Sequence, residues 1–393
     1  MQRILHINTA GGRGAAGGIP EVLSIMTTDA GCISALAGGR RNGSQARWIP
    51  IGSRADMAVH WMATRMADRH GLHSRAATRS FLRQVEDFHP TVVHLHNLHG
   101  YYLHIPTLFD WLRSSGLPVV WTLHDCWTMT GHCAFFPPEG CRHWESGCRD
   151  CPNTSCYPAC HGVARAAANY RLKESLFTSL PRVVLVPVSH WLDSVVEHSF
   201  LRELPRRVIY NGIDLTTCAP QPGLRAPASS PLLLGVASRW DSRKGFHHFA
   251  ELRRLLPARW RIRLIGLDEG KMRKLPRGIE GLPRIADATT LSRHFAEATV
   301  FANPSRAEGN NITKMEALAC GTPVVTFNTG GAPEGIDPQV GDVIPHGRID
   351  LMARSIEAWG KTQPAEACRN VAAGLFDRHK MFHQYMNLYN ELS

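Results

Sequence analysis

The chain has 393 residues, of which 20% are charged and 44% hydrophobic, and its 44 Lys and Arg against 33 Asp and Glu give a formal charge of +11. That balance excludes a disordered or fibrous protein, and the length suits two domains with a core each. The positive charge points to anionic partners, whether nucleotide phosphates, nucleic acid or an acidic membrane, but no block of consecutive basic residues marks a nucleic-acid tail.

Met1-Gln-Arg-Ile-Leu-His-Ile-Asn8 reads as a strand that starts at once rather than as a leader peptide. No apolar run reaches the ~18 residues that span a bilayer, so the expectation is a soluble, cytoplasmic protein. Gly11 to Gly18 follows the first strand, and Gly12-Arg-Gly-Ala-Ala-Gly17 is a literal G-x-G-x-x-G. Taken alone it suggests an NAD(P)-dependent oxidoreductase. The ribose-binding acid expected about twenty residues later has no candidate at a strand end, since Asp29 falls within a helical stretch.

Arg65, Arg69, Arg75, Arg79 and Arg83 come next, the last three at helical spacing with Ala76, Ala77, Phe81 and Leu82 between them. They form either a solvated helix face or an amphipathic surface for acidic lipid or a lipid-diphosphate acceptor. Strand-like runs at Ile4 to Ile7, Val92 to Leu95, Val119 to Leu123 and Val183 to Val188 alternate with helical stretches. Leu232 to Val236, Ile262 to Ile265, Val300 to Ala302 and Val324 to Phe327 continue the rhythm, which predicts parallel sheets. No internal repeat is visible.

Val120-Trp-Thr-Leu-His-Asp125 places His124 at the C-terminal end of a buried strand. Seven of the eleven cysteines lie between residues 126 and 160. Within that insert Cys133, Cys141, Cys148 and Cys151 include a C-x-x-C hook of zinc-binding type, with His132, His143, His161, Cys156 and Cys160 as substitutes. A long loop with little apolar periodicity needs fastening. Structural zinc, free thiols and disulfides all remain open, and a zinc-stabilised nucleic-acid binder is a further alternative.

After Val208-Ile-Tyr-Asn-Gly-Ile-Asp214 the segment Ala219 to Pro231 is rich in Pro, Ser and Ala, which marks a domain boundary. A last helix is expected from roughly Asn370 to Leu392, its Phe376, Phe382, Tyr385 and Tyr389 packing either into a core or across the domain junction. Between them, Pro304-Ser-Arg-Ala-Glu-Gly-Asn-Asn-Ile-Thr-Lys-Met-Glu316 carries two acids eight apart, Glu308 on a loop after a strand and Glu316 a turn into a helix closed by Cys320-Gly321 and Pro323. Strand ends and helix N-termini of open α/β sheets bind anions, and acids beside such a site accept sugar hydroxyls. The ligand so described is a nucleotide-sugar.

Ser305 to Val325, with its Glu, seven residues and second Glu, resembles the signature of the retaining glycosyltransferases of family 4. Trp121 to Cys133, Cys141 to Cys148 and Cys151-Pro152 look like a subgroup of that family in bacterial exopolysaccharide and colanic acid assembly. The resemblance implies an α/β GT-B fold: two doubly wound, Rossmann-like domains facing across a cleft, with residues 1–212 on the acceptor side and carrying an insert at about 126–160. Residues 213–373 would bind the nucleotide-sugar, and residues 374–393 would form a helix returning to the first domain. By the same resemblance, Arg239 and Lys244 neutralise the donor diphosphate, Glu308 binds sugar hydroxyls and Glu316 holds the ribose. The amides of Asn310, Asn311 and Ile312 meet the diphosphate, Gly17 and Gly18 form a loop facing the donor, and His124 lies near the transferred sugar. Asp125, His94, His96 and Asn97, with the rest of the His94–His99 loop, are the acceptor-side candidates. The family usually has an aromatic-Gly pair where Asn310-Asn311 stand. No Asp-x-Asp motif calls for a catalytic metal. The implied partners are a UDP- or GDP-sugar and a saccharide or lipid-linked saccharide, with peripheral contact at the inner face of an acidic plasma membrane and no nucleic acid.

Overall fold

The computed structural model describes residues 1–12, 17–136, 140–221, 223–362 and 364–393. It divides into two compact units, one of Met1–Ile209 with Phe382–Ser393 and one of Tyr210–Met381. Among the described residues no helix is long and apolar enough to cross a membrane.

The first unit holds β1 (Arg3–Ala10), β2 (Ile33–Arg40), β3 (Trp48–Pro50), β4 (Val92–Leu95), β5 (Val119–Leu123) and β6 (Val183–Pro187). They form one sheet in the order β3-β2-β1-β4-β5-β6, every pair parallel. Ile4, Leu5, Ile7, Val92, Val93 and Leu95 are fully buried because helices cover both faces of a parallel sheet. The second unit holds β7 (Leu232–Val236), β8 (Arg261–Ile265), β9 (Ile279–Leu282), β10 (Val300–Asn303), β11 (Val324–Phe327) and β12 (Gly341–Ile344). Their order, β12-β11-β10-β7-β8-β9, is that of the first sheet read from the other edge. Each unit is therefore a doubly wound sheet whose strand order reverses once, between β1 and β4 or between β7 and β10.

The eight expected strands all form, and β2, β3, β9 and β12 join them. These four are poor in β-branched residues, short, or broken by Gly and Pro, and they find their place through neighbours rather than propensity.

The single terminal helix expected from Asn370 is instead two, Ala365–Leu375 and Arg378–Leu392. Between them the backbone turns to pair with Ile213, whose amide donates to Phe376 O at 2.8 Å while Arg378 N donates to Ile213 O at 3.1 Å. Phe376 belongs to the second unit's core, edge-on to Tyr210 at 5.5 Å, rather than to a packing of rings across the junction. Tyr385 and Tyr389 belong to the first unit. The Tyr389 hydroxyl lies 2.6 Å from His94 Nδ1, and the Tyr385 hydroxyl 2.8 Å from Thr122 Oγ1, which is itself 2.7 Å from His94 Nε2. Tyr389→Phe leaves a ring nitrogen unpaired in the core and is expected to lower stability by about 1–3 kcal/mol. The urea midpoint measures it, and an unchanged midpoint would show that this anchor carries no stability.

Candidate functional site

At the carboxyl edge of a doubly wound sheet, the loops on either side of the order reversal turn away from each other and leave a crevice. In the second unit that point lies between β7 and β10. The loop after β7 bends through a short turn at Ser242–Lys244, capped by Asp241, which accepts from Arg243 N at 3.0 Å and pairs with the Arg243 guanidinium at 2.9 Å. Arg306 N, on the loop after β10, donates to Arg243 O at 2.7 Å and ties the two loops together.

Across that tie Lys244 Nζ donates to Glu308 Oε1 at 2.6 Å. The Glu308 side chain is only 6% exposed and Lys244 25%, so the enclosed acid has a cationic partner within hydrogen-bond distance. Lys244, not its neighbour Arg243, therefore meets Glu308. Asn311 Nδ2 also reaches Glu308 Oε1, at 3.3 Å, while its Oδ1 accepts from Lys314 N at 3.1 Å and caps the helix Ile312–Ala319. The other first-turn amides, beginning at Ile312, have no partner within the helix. Gly330 sits at φ 57°, where a Cβ would lie 2.0 Å from Glu308 O; only glycine lets its loop close over the acid. Asn310 borders the same loop, and Arg239 is exposed on the strand-β7 side.

Glu316 lies one turn into the helix, and burial pushes its carboxyl up to about 7. Lys314, which sequence reasoning passed over, is fully buried and donates to the carbonyls of Gly331 at 3.3 Å and Ala332 at 3.1 Å. Burial lowers its ammonium to about 8, with the charges of Glu334 and Glu308 opposing that fall. It pins the Gly330–Glu334 loop to the helix. The available signal was a lysine among apolar neighbours, Ile312 and Met315, inside the two-acid segment.

In the first unit, Gly17 caps the helix Gly18–Asp29 with a backbone so close to Gly12 O that a Cβ would lie 2.6 Å away. Residues 13–16 of the G-x-G-x-x-G run lie outside the described residues. At its start Gly12 N donates to Glu21 Oε2 at 3.1 Å, and Glu21 also accepts from Ser44 Oγ at 2.5 Å and Gln45 N at 2.6 Å. The Gly12 amide is thus taken by a buried side chain of the chain itself.

His124, at the end of β5, is partly exposed in a concavity shared with Asn97, His99, Asp125 and Trp127. Behind it His96 Nδ1 lies 3.3 Å from His124 Nε2, and His6 Nδ1 3.3 Å from His96 Nε2. His6 Nε2 is buried without a partner, and a proton there would be an orphaned donor. The lower-energy assignment puts each proton on Nδ1 and leaves His124 presenting Nδ1–H, its Nε2 accepting. Burial above all keeps His124 neutral, lowered to about 4.

His94 and His96, expected on the acceptor side, are core residues: His94 is 0% exposed with both ring nitrogens engaged, and His96 is 2% exposed. His99 is partly exposed, its side chain 11%. Its Nε2 lies 2.8 Å from Asp125 Oδ2 and its Nδ1 3.0 Å from the hydroxyl of Tyr157, which the cysteine-rich insert supplies. Burial raises the Asp125 carboxyl, but the His99 charge and hydrogen bond and the Trp127 amide outweigh it, and the net shift is downward.

Cys133, Cys141, Cys148 and Cys151 form no disulfide. A zinc site needs sulfurs about 3.8 Å apart, and among the described residues the group with three ligand atoms within 4.8 Å of one another is His6, His94 and His96. Polar ties fasten the insert. Buried Lys173 donates to Trp127 O at 2.6 Å and Thr130 O at 2.9 Å, and His132 pairs with buried Asp68 at 2.7 Å.

Two six-stranded doubly wound units of this kind make up the GT-B architecture. A family described as glycosyl transferases group 1 matches residues 231–360, and one described as glycosyltransferase family 4 matches residues 50–217. The two matched segments lie in different parts of the chain and mark both as glycosyltransferase domains, in place of the oxidoreductase reading. WcaC of Escherichia coli (strain K12), a provisionally assigned colanic acid biosynthesis glycosyl transferase, is 26% identical over 325 residues, 77% of each chain. A GDP-mannose-dependent alpha-(1-6)-phosphatidylinositol monomannoside mannosyltransferase of Mycolicibacterium smegmatis is 30% identical over 197 residues, covering 43% of this chain and 49% of its own. Sucrose-phosphate synthase from Thermosynechococcus elongatus has the same fold with a TM-score of 0.74 at 17% identity, over 100% of this chain and 99% of its own. Anabaena HepE in complex with UDP-glucose does so with a TM-score of 0.70 at 16% identity, over 100% of both.

Glu316 gives this geometry a pH signature. A carboxyl raised from 4.5 to about 7 binds more protons folded than unfolded, so its contribution to stability is full below pH 4.5 and lost as pH rises through 7. Glu316→Gln is expected to remove a pH-dependent loss on the order of 3 kcal/mol across that window. Melting curves of both proteins at pH 5 and pH 8 measure it, and parallel pH dependences would place Glu316 in water.

Proposed function

We propose that the protein transfers a hexose from a nucleoside-diphosphate sugar, with retention at the anomeric carbon, to a saccharide carried on a lipid during exopolysaccharide assembly. The observation that carries this reading is the Lys244–Glu308 pair at 2.6 Å, set where the strand order reverses. It holds a cation and an enclosed acid ready for a ligand that brings its own negative charge and its own hydroxyls. Entry of a diphosphate draws Lys244 onto phosphate oxygens, and Glu308, released, accepts from the sugar hydroxyls. HepE binding UDP-glucose in the same fold supports a nucleotide-sugar donor, and likeness to WcaC supports the exopolysaccharide setting.

The residues take the following roles in this reading. Arg239 and Lys244 stabilise the charge that grows on the leaving diphosphate, an interaction stronger in the transition state than before it. The amides of Asn310, Asn311 and Ile312 sit at the positive end of their helix and bind phosphate. Glu316 accepts from ribose hydroxyls. Asn310 and Asn311, in place of an aromatic-Gly pair, give the sugar pocket amide groups rather than a ring. The leaving phosphate oxygen takes the acceptor proton on the face it departs from, so retention needs no separate side-chain base. Neutral His124 offers a hydrogen bond in the first unit's concavity, where Asp125 and Asn97 border the acceptor. Gly17 and Gly18 let backbone approach substrate closely.

A thermal-shift panel of UDP-, GDP- and ADP-sugars identifies the donor, since a ligand that binds the folded state raises its melting temperature. With that donor, Glu308→Gln and Lys244→Ala are each expected to lower turnover by at least about 100-fold with the fold intact. Proton NMR of the product's anomeric centre is expected to show the donor's configuration. Near-parental turnover in both variants, or an inverted product, would overturn the proposed roles.

A further inference from the structure

Among the described residues, Trp61 and Tyr157 are the two aromatic side chains left conspicuously open to solvent, at 47% and 45%. Trp61 already has a partner, the Arg65 guanidinium 5.2 Å over its ring. Tyr157, from the cysteine-rich insert, has its ring face uncovered. Its ring neighbours His70, His99 and Tyr101 stand at 84°, 72° and 80° to it, with centroids 6.0, 5.5 and 6.3 Å away, and no ring among the described residues is stacked on it. Tyr101, by contrast, carries His70 stacked at 4.8 Å and 28°.

A chain of hydrogen bonds through three loops holds that ring in place. Trp127 N donates to Asp125 Oδ1 at 2.9 Å, which fixes the carboxylate just beyond β5, and His99 Nε2, beyond β4, lies 2.8 Å from Asp125 Oδ2. A carboxylate only accepts, so a neutral His99 carries its proton on Nε2 and leaves Nδ1 to accept from the Tyr157 hydroxyl at 3.0 Å. That hydroxyl is enclosed, and burial raises the phenol, so the proton stays on its oxygen. The Tyr157 carbonyl accepts from Ala134 N at 3.1 Å. With hydroxyl and carbonyl both engaged, the exposed part of the residue is its ring. Beside it lies the concavity that His99 and Asp125 share with Asn97, His124 and Trp127.

We propose that Tyr157 is the stacking platform for the terminal pyranose ring of the acceptor, that the cysteine-rich insert delivers it, and that His99 and Asp125 are positioning residues acting through its hydroxyl. The inference rests on the transferase reading above, which assigns the donor diphosphate to the second unit and leaves the first unit's concavity to the acceptor. A pyranose is apolar on its C–H faces and polar around its rim. The negative face of an aromatic ring attracts the weakly positive C–H groups, while a few fixed polar groups, here the Asn97 amide and the His124 Nδ1–H, take the hydroxyls. Both oxygens of Asp125 are already occupied, by Trp127 N and His99 Nε2, so its part is to orient rather than to bind.

Saturation-transfer NMR of the whole protein tests it, irradiating aromatic protons in the presence of the methyl α- and β-pyranosides of glucose, galactose and mannose. The expected result, which needs no variant, is transfer to the C–H protons of one pyranose face in at least one of these sugars. Tyr157→Ala is expected to weaken that binding about 5–10-fold and Tyr157→Phe, which keeps the ring, about 2–3-fold, with the melting shift produced by nucleotide-sugars unchanged. His99→Leu is expected to weaken binding in the parent protein and to add nothing in Tyr157→Ala, because it acts through the tyrosine. No transfer to any of the pyranosides, parental binding by Tyr157→Ala, or additive losses in the double variant overturns the proposal. Where nucleotide-sugars still raise the melting temperature in that event, the transferase reading stands without the platform. If none of them does while a pyranoside stacks on Tyr157, the transferase reading falls and the sugar platform stands.

Discussion

Parallel strands deliver all their outgoing loops to one edge, and those loops part only where the strand order reverses. Everything at the second unit's site depends on that constraint. Lys244 and Glu308 stand 64 residues apart in the chain and meet at 2.6 Å because β7 and β10 are neighbours at the reversal. An ion pair in water contributes little, whereas one whose acid is enclosed is screened less. Enclosure makes the pair strong, and the pair makes enclosure tolerable. The Arg306–Arg243 backbone bond, the Asn311 cap and the tight Gly330 turn hold it in register.

The two units handle buried polarity differently. The first sets imidazoles in a string, His6 within β1 and His96 and His124 just beyond β4 and β5, that burial keeps neutral. The second uses full charges. Both nevertheless use one device to secure a loop: a buried ammonium donating to backbone carbonyls. Lys173 does this for the cysteine-rich insert, its Nζ also 3.3 Å from the Trp127 ring centre, and Lys314 does it for the Gly330–Glu334 loop. Burial lowers these two lysines to about 7 and about 8, so each loop is held by a cation close to its own titration. This arrangement explains how a long insert with seven cysteines stays ordered without its sulfurs converging.

Much of this was legible in the chain. Val300 to Ala302 running into Pro304, with Glu308 and Glu316 beyond, announced a strand end and a helix start carrying acids, because strand and helix periods and cap residues are local properties. Small or Gly- and Pro-broken strands such as Ile33–Arg40 and Gly341–Ile344 gave no such signal; their backbone pairs because neighbours on the sheet offer partners. The histidines show the limit most sharply. His94, His96 and His99 alternate in one short run, and nothing in their order says which faces solvent. Tyr389, nearly three hundred residues later, claims His94, and Tyr157 from the insert marks out His99.

The sequence by itself determined the class of fold, most of the strands, the two-acid segment and the family, since each rests on residues close together in the chain. The tertiary structure decided that Lys244 rather than Arg243 meets Glu308, that Lys314 is a tether, that two of three histidines are core, and that Tyr157 of the insert shows its ring to solvent beside His99. Each of these depends on which distant segments occupy the space around a side chain, and burial and pairing of charge are properties of that space.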